Sequence, residues 1–113
     1  DYKIKWCLAT DGLATGETAN MLYHAQHLKQ LFPNLSDQEI LKSVTMYASV
    51  CLNRFNNECL NNDKDADFNV YGYDSHNSSI CNLSCSEIIS LLINNQLKLK
   101  NMYVKGNLIR SSG

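Results

Sequence analysis

Oxygen-bearing side chains alternate through the acidic middle of the chain, with a spacing typical of a calcium loop. The candidate ligands are Asp63, Asp65, Asp67 and Asn69, with Asp74 at the position that closes such a loop. Carboxylate and amide oxygens are the hard ligands that Ca²⁺ prefers. Phe68, however, stands where the loop needs glycine for its sharp turn. We therefore expect a solvated acidic loop, with a calcium-binding structural module as the alternative.

Histidines and cysteines supply the other reactive side chains. His24 and His27 lie three residues apart and would share one face of a helix, but a zinc site needs a third or fourth ligand. Cys85 is predicted at the first position of a helix, where the helix dipole favours a reactive thiolate, and His76 is available as a base. We interpret the two histidines as surface residues and Cys85 as part of a structural disulfide, so we expect no enzyme.

Five cysteines predict disulfide bonds. They are Cys7, Cys51, Cys59, Cys81 and Cys85. Such usage in a small domain is typical of secreted proteins, so we expect two disulfides and one spare thiol, which leaves a covalent dimer open. The favoured pairing joins Cys81 or Cys85, at the start of the third predicted helix, to Cys51 or Cys59 in the second.

Three Asn-x-Ser frames are candidate glycosylation sites, at Asn34, Asn77 and Asn82. Together with the cysteines and a first residue that is Asp rather than Met, they favour a secreted, extracellular protein. The alternative is an intracellular interaction domain of an AT-rich virus or parasite, in which the thiols stay reduced.

Composition limits the function classes. The 113 residues suit one domain, 1–113, and the net charge of −1 argues against a nucleic-acid binder, which usually has a basic face. No apolar run is long enough for a membrane span, which needs about 18 residues. No motif identifies a known family.

The frame Asn-Leu-Ser-x-x-Glu-Ile occurs twice, at 34–40 and 82–88. In each copy the Ser is expected to cap a helix and the Glu to reach back to the backbone N–H of the Ser, while the flanking Leu and Ile pack together. We therefore predict helices that begin at Ser36 and Ser84.

Hydrophobic periodicity predicts the remaining elements. A first helix is expected from Thr18 to Phe32, where Pro33 stops it, and the helix from Ser36 is expected to run to about residue 60. Residues 61–79 are predicted to form a long polar loop with a brief extended piece at 68–73. The tail, 98–110, is expected to form a hairpin or a strand against the N-terminus.

The sequence thus predicts a mostly α, disulfide-stapled domain with about three main helices, a long polar loop and a short C-terminal extended segment. Three methionines and six tyrosines are available to line an adaptable apolar pocket. We expect a small secreted binding protein without enzymatic activity. Its partner is either an apolar small molecule held between the helices or another protein.

Overall fold

The computed structural model describes Ile4 and residues 6–10, 20–55, 59–73 and 82–111. These residues form four helical segments and a three-stranded antiparallel sheet. In chain order the elements are α1 (Met21–Leu31), α2 (Asp37–Ser43), α3 (Met46–Cys51), β1 (Phe68–Gly72), α4 (Cys85–Ile93), β2 (Lys98–Val104) and β3 (Asn107–Ser111). Because 20% of the described residues are in strands and 39% in helices, the fold is mixed α and β. The prediction of a mostly α fold was wrong: the polar loop and the tail pair as strands instead of remaining mainly loop.

Both predicted serine caps are present. Ser36 Oγ accepts a hydrogen bond from the Glu39 N–H at 3.1 Å, and Ser84 Oγ accepts one from the Glu87 N–H at 3.2 Å. In both copies the glutamate carboxylate makes a different hydrogen bond from the expected one with the backbone N–H of the serine. The Ser84 hydroxyl donates to Glu87 Oε1, whereas the Glu39 carboxylate accepts from the Tyr47 hydroxyl, which raises the pKa of Tyr47.

The first helix ends where proline predicts, at Leu31 with Phe32 as its C-cap. Its N-cap is Asn20, whose side chain accepts a hydrogen bond from the Leu22 N–H at 3.1 Å. The predicted start at Thr18 lies outside the described residues.

The predicted long second helix is broken into α2 and α3. Side-chain hydroxyls compete for the carbonyls near the break: Ser43 Oγ donates to Ile40 O at 2.6 Å and Thr45 Oγ1 donates to Leu41 O at 2.9 Å. Such back-bonding bends helices, and Thr45 leaves the helical region with φ −126° and ψ −96°.

Asparagine in the left-handed conformation closes both α3 and α4. Asn53 has φ 55°, and the N–H of Arg54 donates back to Ser49 O at 2.9 Å. Asn95 has φ 59°, and the N–H of Gln96 donates to Leu91 O at 2.8 Å. This pattern is the Schellman motif, usually closed by glycine. The prediction that the second helix reaches residue 60 was therefore wrong, because Asn53 ends it.

The four helices form a helical layer around a small core. Its buried apolar residues are Ala25, Ile40 and Ile93, one from each of α1, α2 and α4. Residues 6–10 lie against this layer, where the Leu8 N–H donates to Ser43 O at 3.1 Å. None of the described helices is long and apolar enough to cross a membrane.

One acidic side chain connects three helices. Asp37 Oδ2 accepts a hydrogen bond from Ser90 Oγ at 2.6 Å, and Asp37 Oδ1 lies 3.1 Å from Lys29 Nζ. The Ser90 hydrogen bond, followed by the hydrogen bond and charge of Lys29, lowers the pKa of Asp37 against the opposing effect of burial. Asp37 thus ties α2 to both α1 and α4.

The sheet has the strand order β1-β2-β3. The predicted C-terminal hairpin is confirmed: Lys105 and Gly106 connect β2 to β3 with φ 49° and 77°, the signature of a type I′ turn. The predicted extended piece at 68–73 is present as β1, which pairs with β2.

The predicted disulfide staple is also wrong. Among the described cysteines no two sulfur atoms are at bonding distance, and Cys7, Cys51, Cys59 and Cys85 are free thiols. Cys7 and Cys51 come nearest, at 3.5 Å, whereas a disulfide bond is about 2.05 Å long. The reason is positional: Cys51 at the end of α3 faces the N-terminal segment, not the start of α4. Cys81 lies outside the described residues.

Candidate ligand-binding groove

A groove of about 590 Å³ lies between α3 and the sheet. We call it the α3–sheet groove. One side is formed by α3 and the residues around it, chiefly Val44, Ala48 and Leu52, and the other by β1 and β2. Its volume falls within the range of roughly 300–1,000 Å³ that is usual for small-molecule sites.

The shape of the helical side of the groove results from the break between α2 and α3 and from the end of α3 at Asn53. Ala48 and Leu52 are four residues apart and therefore lie on one face of the helix. Because the chain turns away at Asn53, the Leu52 side chain is left 68% exposed, and Leu60, which also lines the groove, is 66% exposed. The groove therefore carries apolar side chains that the protein itself does not cover.

The sheet side has an aromatic surface. Phe68 of β1 is the register partner of Tyr103 of β2, and their rings stack with centroids 4.7 Å apart and planes 16° from parallel. Met102 and Val104 of the same strand add apolar surface. Cross-strand aromatic pairs of this kind stabilise a sheet and present broad, rigid apolar faces.

Among the described residues, the groove lining contains one basic and one acidic side chain, Arg54 and Asp67. Asp67 has a structural role, because its Oδ1 accepts the Lys105 N–H at 2.8 Å and so holds the β2–β3 turn. The neighbouring Ala66 O accepts the Gly106 N–H at 2.9 Å. Arg54 is exposed and follows the left-handed Asn53, and no described carboxylate forms an ion pair with it.

The predicted calcium ligands are not gathered around a common point in the part of the chain that is described. Asp63 and Asn69 are exposed, Asp67 binds the turn, and Phe68 begins β1. No group of three or more His, Cys, Asp or Glu side chains in the described ranges is arranged to hold a metal ion. Asp74 lies outside those ranges, so the calcium loop stays a prediction.

Cys7 and Cys51 form the one close thiol pair among the described residues. The pKa of Cys7 is raised, first by a hydrogen bond with the Cys51 thiol, then by burial and by the charge that Cys51 would carry. A raised pKa keeps Cys7 protonated and less nucleophilic at neutral pH. Cys85 is the exposed first residue of α4, as predicted, but His76 lies outside the described residues.

The two helix histidines contact one tyrosine, and His27 lines a second, polar cleft. The His27 ring is parallel to the Tyr23 ring at 6.4 Å, and the His24 ring meets Tyr23 edge-on at 5.4 Å. His27 and Tyr23 line a cleft of about 490 Å³ between α1 and the end of α4, together with Gln26 and Asn94. The two histidines, interpreted from the sequence as surface residues, thus have aromatic and amide neighbours, and the described residues add no third ligand for a metal ion.

The glycosylation frames at Asn34 and Asn82 are on the surface. Both asparagines are exposed, while the serine of each frame caps a helix. Asn77 lies outside the described residues. An extracellular location and glycosylation stay predictions.

Sequence reasoning missed most of the groove. It placed Phe68 in an extended piece and Met102 and Tyr103 in a hairpin, yet it did not bring either to α3, and it did not single out Arg54. Asn53 was the sequence feature that could have indicated the position of Arg54, since a helix that ends there turns Arg54 away from the helix axis.

Comparison with known proteins adds no relative: the chain matches no protein-family model, no curated protein and no solved structure.

Proposed function

We propose that this protein is a non-enzymatic binding protein that holds an apolar small molecule in the α3–sheet groove. The observation that carries the proposal is the groove itself: about 590 Å³, with apolar side chains contributed by a helix on one side and two strands on the other. The sequence predicted such a ligand between the helices. The proposal places it between a helix and the sheet.

Two exposed leucines provide a hydrophobic driving force for ligand binding in the groove. Leu52 and Leu60 remain about two-thirds exposed, at 68% and 66%. Burying a leucine side chain fully is worth about 1.5–3 kcal/mol relative to leaving it in water. A ligand that covers both leucines therefore recovers part of the hydrophobic free energy that folding leaves unused.

The aromatic surface supports a ligand that is apolar over much of its length. Phe68 and Tyr103 stack on each other, so their position does not depend on the ligand. Preformed surfaces bind more tightly than flexible ones, because little conformational entropy is lost on binding.

A neutral apolar dye, N-phenyl-1-naphthylamine, tests the proposal through its fluorescence increase on binding. Ala48→Phe places a large side chain inside the groove, whereas Val50→Phe adds the same side chain to an exposed position of α3 that does not line it. We expect Ala48→Phe to weaken dye binding about tenfold or more and Val50→Phe to leave it nearly unchanged.

Two results would contradict the proposal. One is the absence of dye binding to the unmodified protein at micromolar concentration. The other is equal loss of binding in both variants, which would place the dye elsewhere. Far-ultraviolet circular dichroism of each variant checks that the helices are retained.

A further inference from the structure

We propose that the ligand of the α3–sheet groove carries a carboxylate, and that Arg54 binds it. This inference rests on the proposed function and deepens it by naming the chemical class: an amphipathic carboxylic acid with an apolar chain or ring system. It follows from the charges in the groove and from their different roles.

The two charged side chains that the described residues contribute to the groove lining are not equivalent. Asp67 is occupied by the fold, since its carboxylate accepts the Lys105 N–H at 2.8 Å and holds the β2–β3 turn. The backbone of Arg54 closes α3, since its N–H donates to Ser49 O at 2.9 Å. Within the described residues its guanidinium takes part in neither of the two ion pairs, which are Lys29–Asp37 and Lys42–Glu39.

The rest of the lining suits the apolar part of such a ligand. Leu52 and Leu60 expose most of their surface, and Phe68 and Tyr103 present stacked rings. A guanidinium next to an apolar surface favours a ligand that has a carboxylate next to an apolar part, because the guanidinium binds a carboxylate through two parallel N–H···O bonds. A neutral ligand would fill the apolar part of the groove and leave the exposed guanidinium to water.

Displacement of bound N-phenyl-1-naphthylamine by dodecanoate and by its methyl ester tests the assignment. The two competitors share one apolar chain and differ in charge. We expect dodecanoate to displace the dye at a concentration about two- to fivefold lower than the ester needs, which is the usual scale of an exposed ion pair. This preference should decrease as salt is added, because a solvent-exposed charge pair is screened.

Arg54→Gln should abolish the preference for the acid and leave ester binding unchanged, while Arg54→Lys should keep part of it. Arg110→Gln is the matched control, because Arg110 is the other arginine of the chain, is exposed on β3 and does not line the groove. It should keep the full preference. The Arg54 variants should fold normally, since the hydrogen bond that closes α3 uses only the backbone of residue 54.

The failures are distinguishable. If dye and ester bind but the unmodified protein shows no preference for the acid, or Arg54→Gln retains it, the carboxylate assignment is overturned and the groove still binds apolar molecules. If Arg110→Gln loses the preference as fully as Arg54→Gln, the effect comes from net charge and the assignment is again overturned. If neither the dye nor either competitor binds, both the proposed function and this inference fail.

Discussion

The helical layer and the sheet are stabilised in different ways. The helices enclose a buried core, with Ala25, Ile40 and Ile93 at 0–1% exposure. The sheet has no described residue that is fully buried, and all five residues of β3 are exposed. Close backbone contacts join the described helices to one another and the strands to one another, but hardly link the two layers. Hydrophobic burial therefore supports the helices, whereas hydrogen bonds and one aromatic stack support the sheet.

This difference explains why the groove lies between the two layers. A sheet that packed tightly on α3 would bury Leu52 and Leu60 and leave no space for a ligand. Because the sheet is held by its own ladder and by the Asp67 contact to its turn, it keeps its shape without filling that space.

The largest expected effect is a truncation in the helical core. Ile40→Ala should lower the free energy of unfolding by about 2–5 kcal/mol, because it removes a fully buried side chain and leaves a cavity. Leu108→Ala, at a 53% exposed position of β3, should change it by less than about 0.5 kcal/mol. Urea denaturation followed by circular dichroism measures both values. Equal losses would show that the sheet shares the core and would break the distinction between the layers.

The second effect is a pH dependence that belongs to the helices. The pKa of Asp37 is lower in the folded protein than in the unfolded chain, where it is about 3.9. The resulting stabilisation is present above that value and is lost as the pH falls through the lower folded pKa. Asp37→Asn should therefore lower the free energy of unfolding by about 1.5–3 kcal/mol at neutral pH. It should also make that free energy fall less steeply as the pH is lowered.

Urea midpoints measured from about pH 6 down to about pH 2 check this dependence. Asp63→Asn is the control, because Asp63 is an exposed carboxylate that takes part in neither ion pair of the described residues. If the urea midpoint falls with pH in the same way in Asp37→Asn as in the unmodified protein, Asp37 does not couple the three helices.

The smallest effect concerns the sheet alone. Asp67→Ala removes the acceptor of the Lys105 N–H and should destabilise the β2–β3 turn by about 1 kcal/mol. Amide hydrogen exchange should become several-fold faster in β2 and β3 and stay unchanged in α1, α2 and α4. Asp63→Ala, in the same loop, should leave both regions unchanged. Faster exchange in the helices as well would show that the layers unfold together.

Features that depend on close neighbours in the sequence were predictable. Ser36 and Ser84 cap their helices through the N–H three residues on, and Pro33 follows the end of α1. The hairpin at Lys105 and Gly106 was visible because glycine readily takes the positive φ that its turn needs.

The break of the second helix was not predictable from its hydrophobic pattern. The apolar spacing continues past residue 51, but the Thr45 hydroxyl binds a helix carbonyl and Asn53 takes the left-handed conformation. Asparagine tolerates that conformation better than most residues, although it is also found inside helices. Hydrophobic periodicity shows which positions are apolar, but it does not show which backbone conformation an asparagine adopts.

Local sequence was sufficient for where helices start and where the hairpin turns, because these features are set by hydrogen bonds within a few residues. Only the tertiary structure decided which distant groups meet. Ser90 reaches Asp37 across 53 positions, Cys7 lies beside Cys51 without a bond, and Arg54 shares a groove with Phe68 and Tyr103. The first two contacts depend on how the helical layer packs, through burial that no short segment of sequence encodes. The third depends on where the strand ladder lies beside α3.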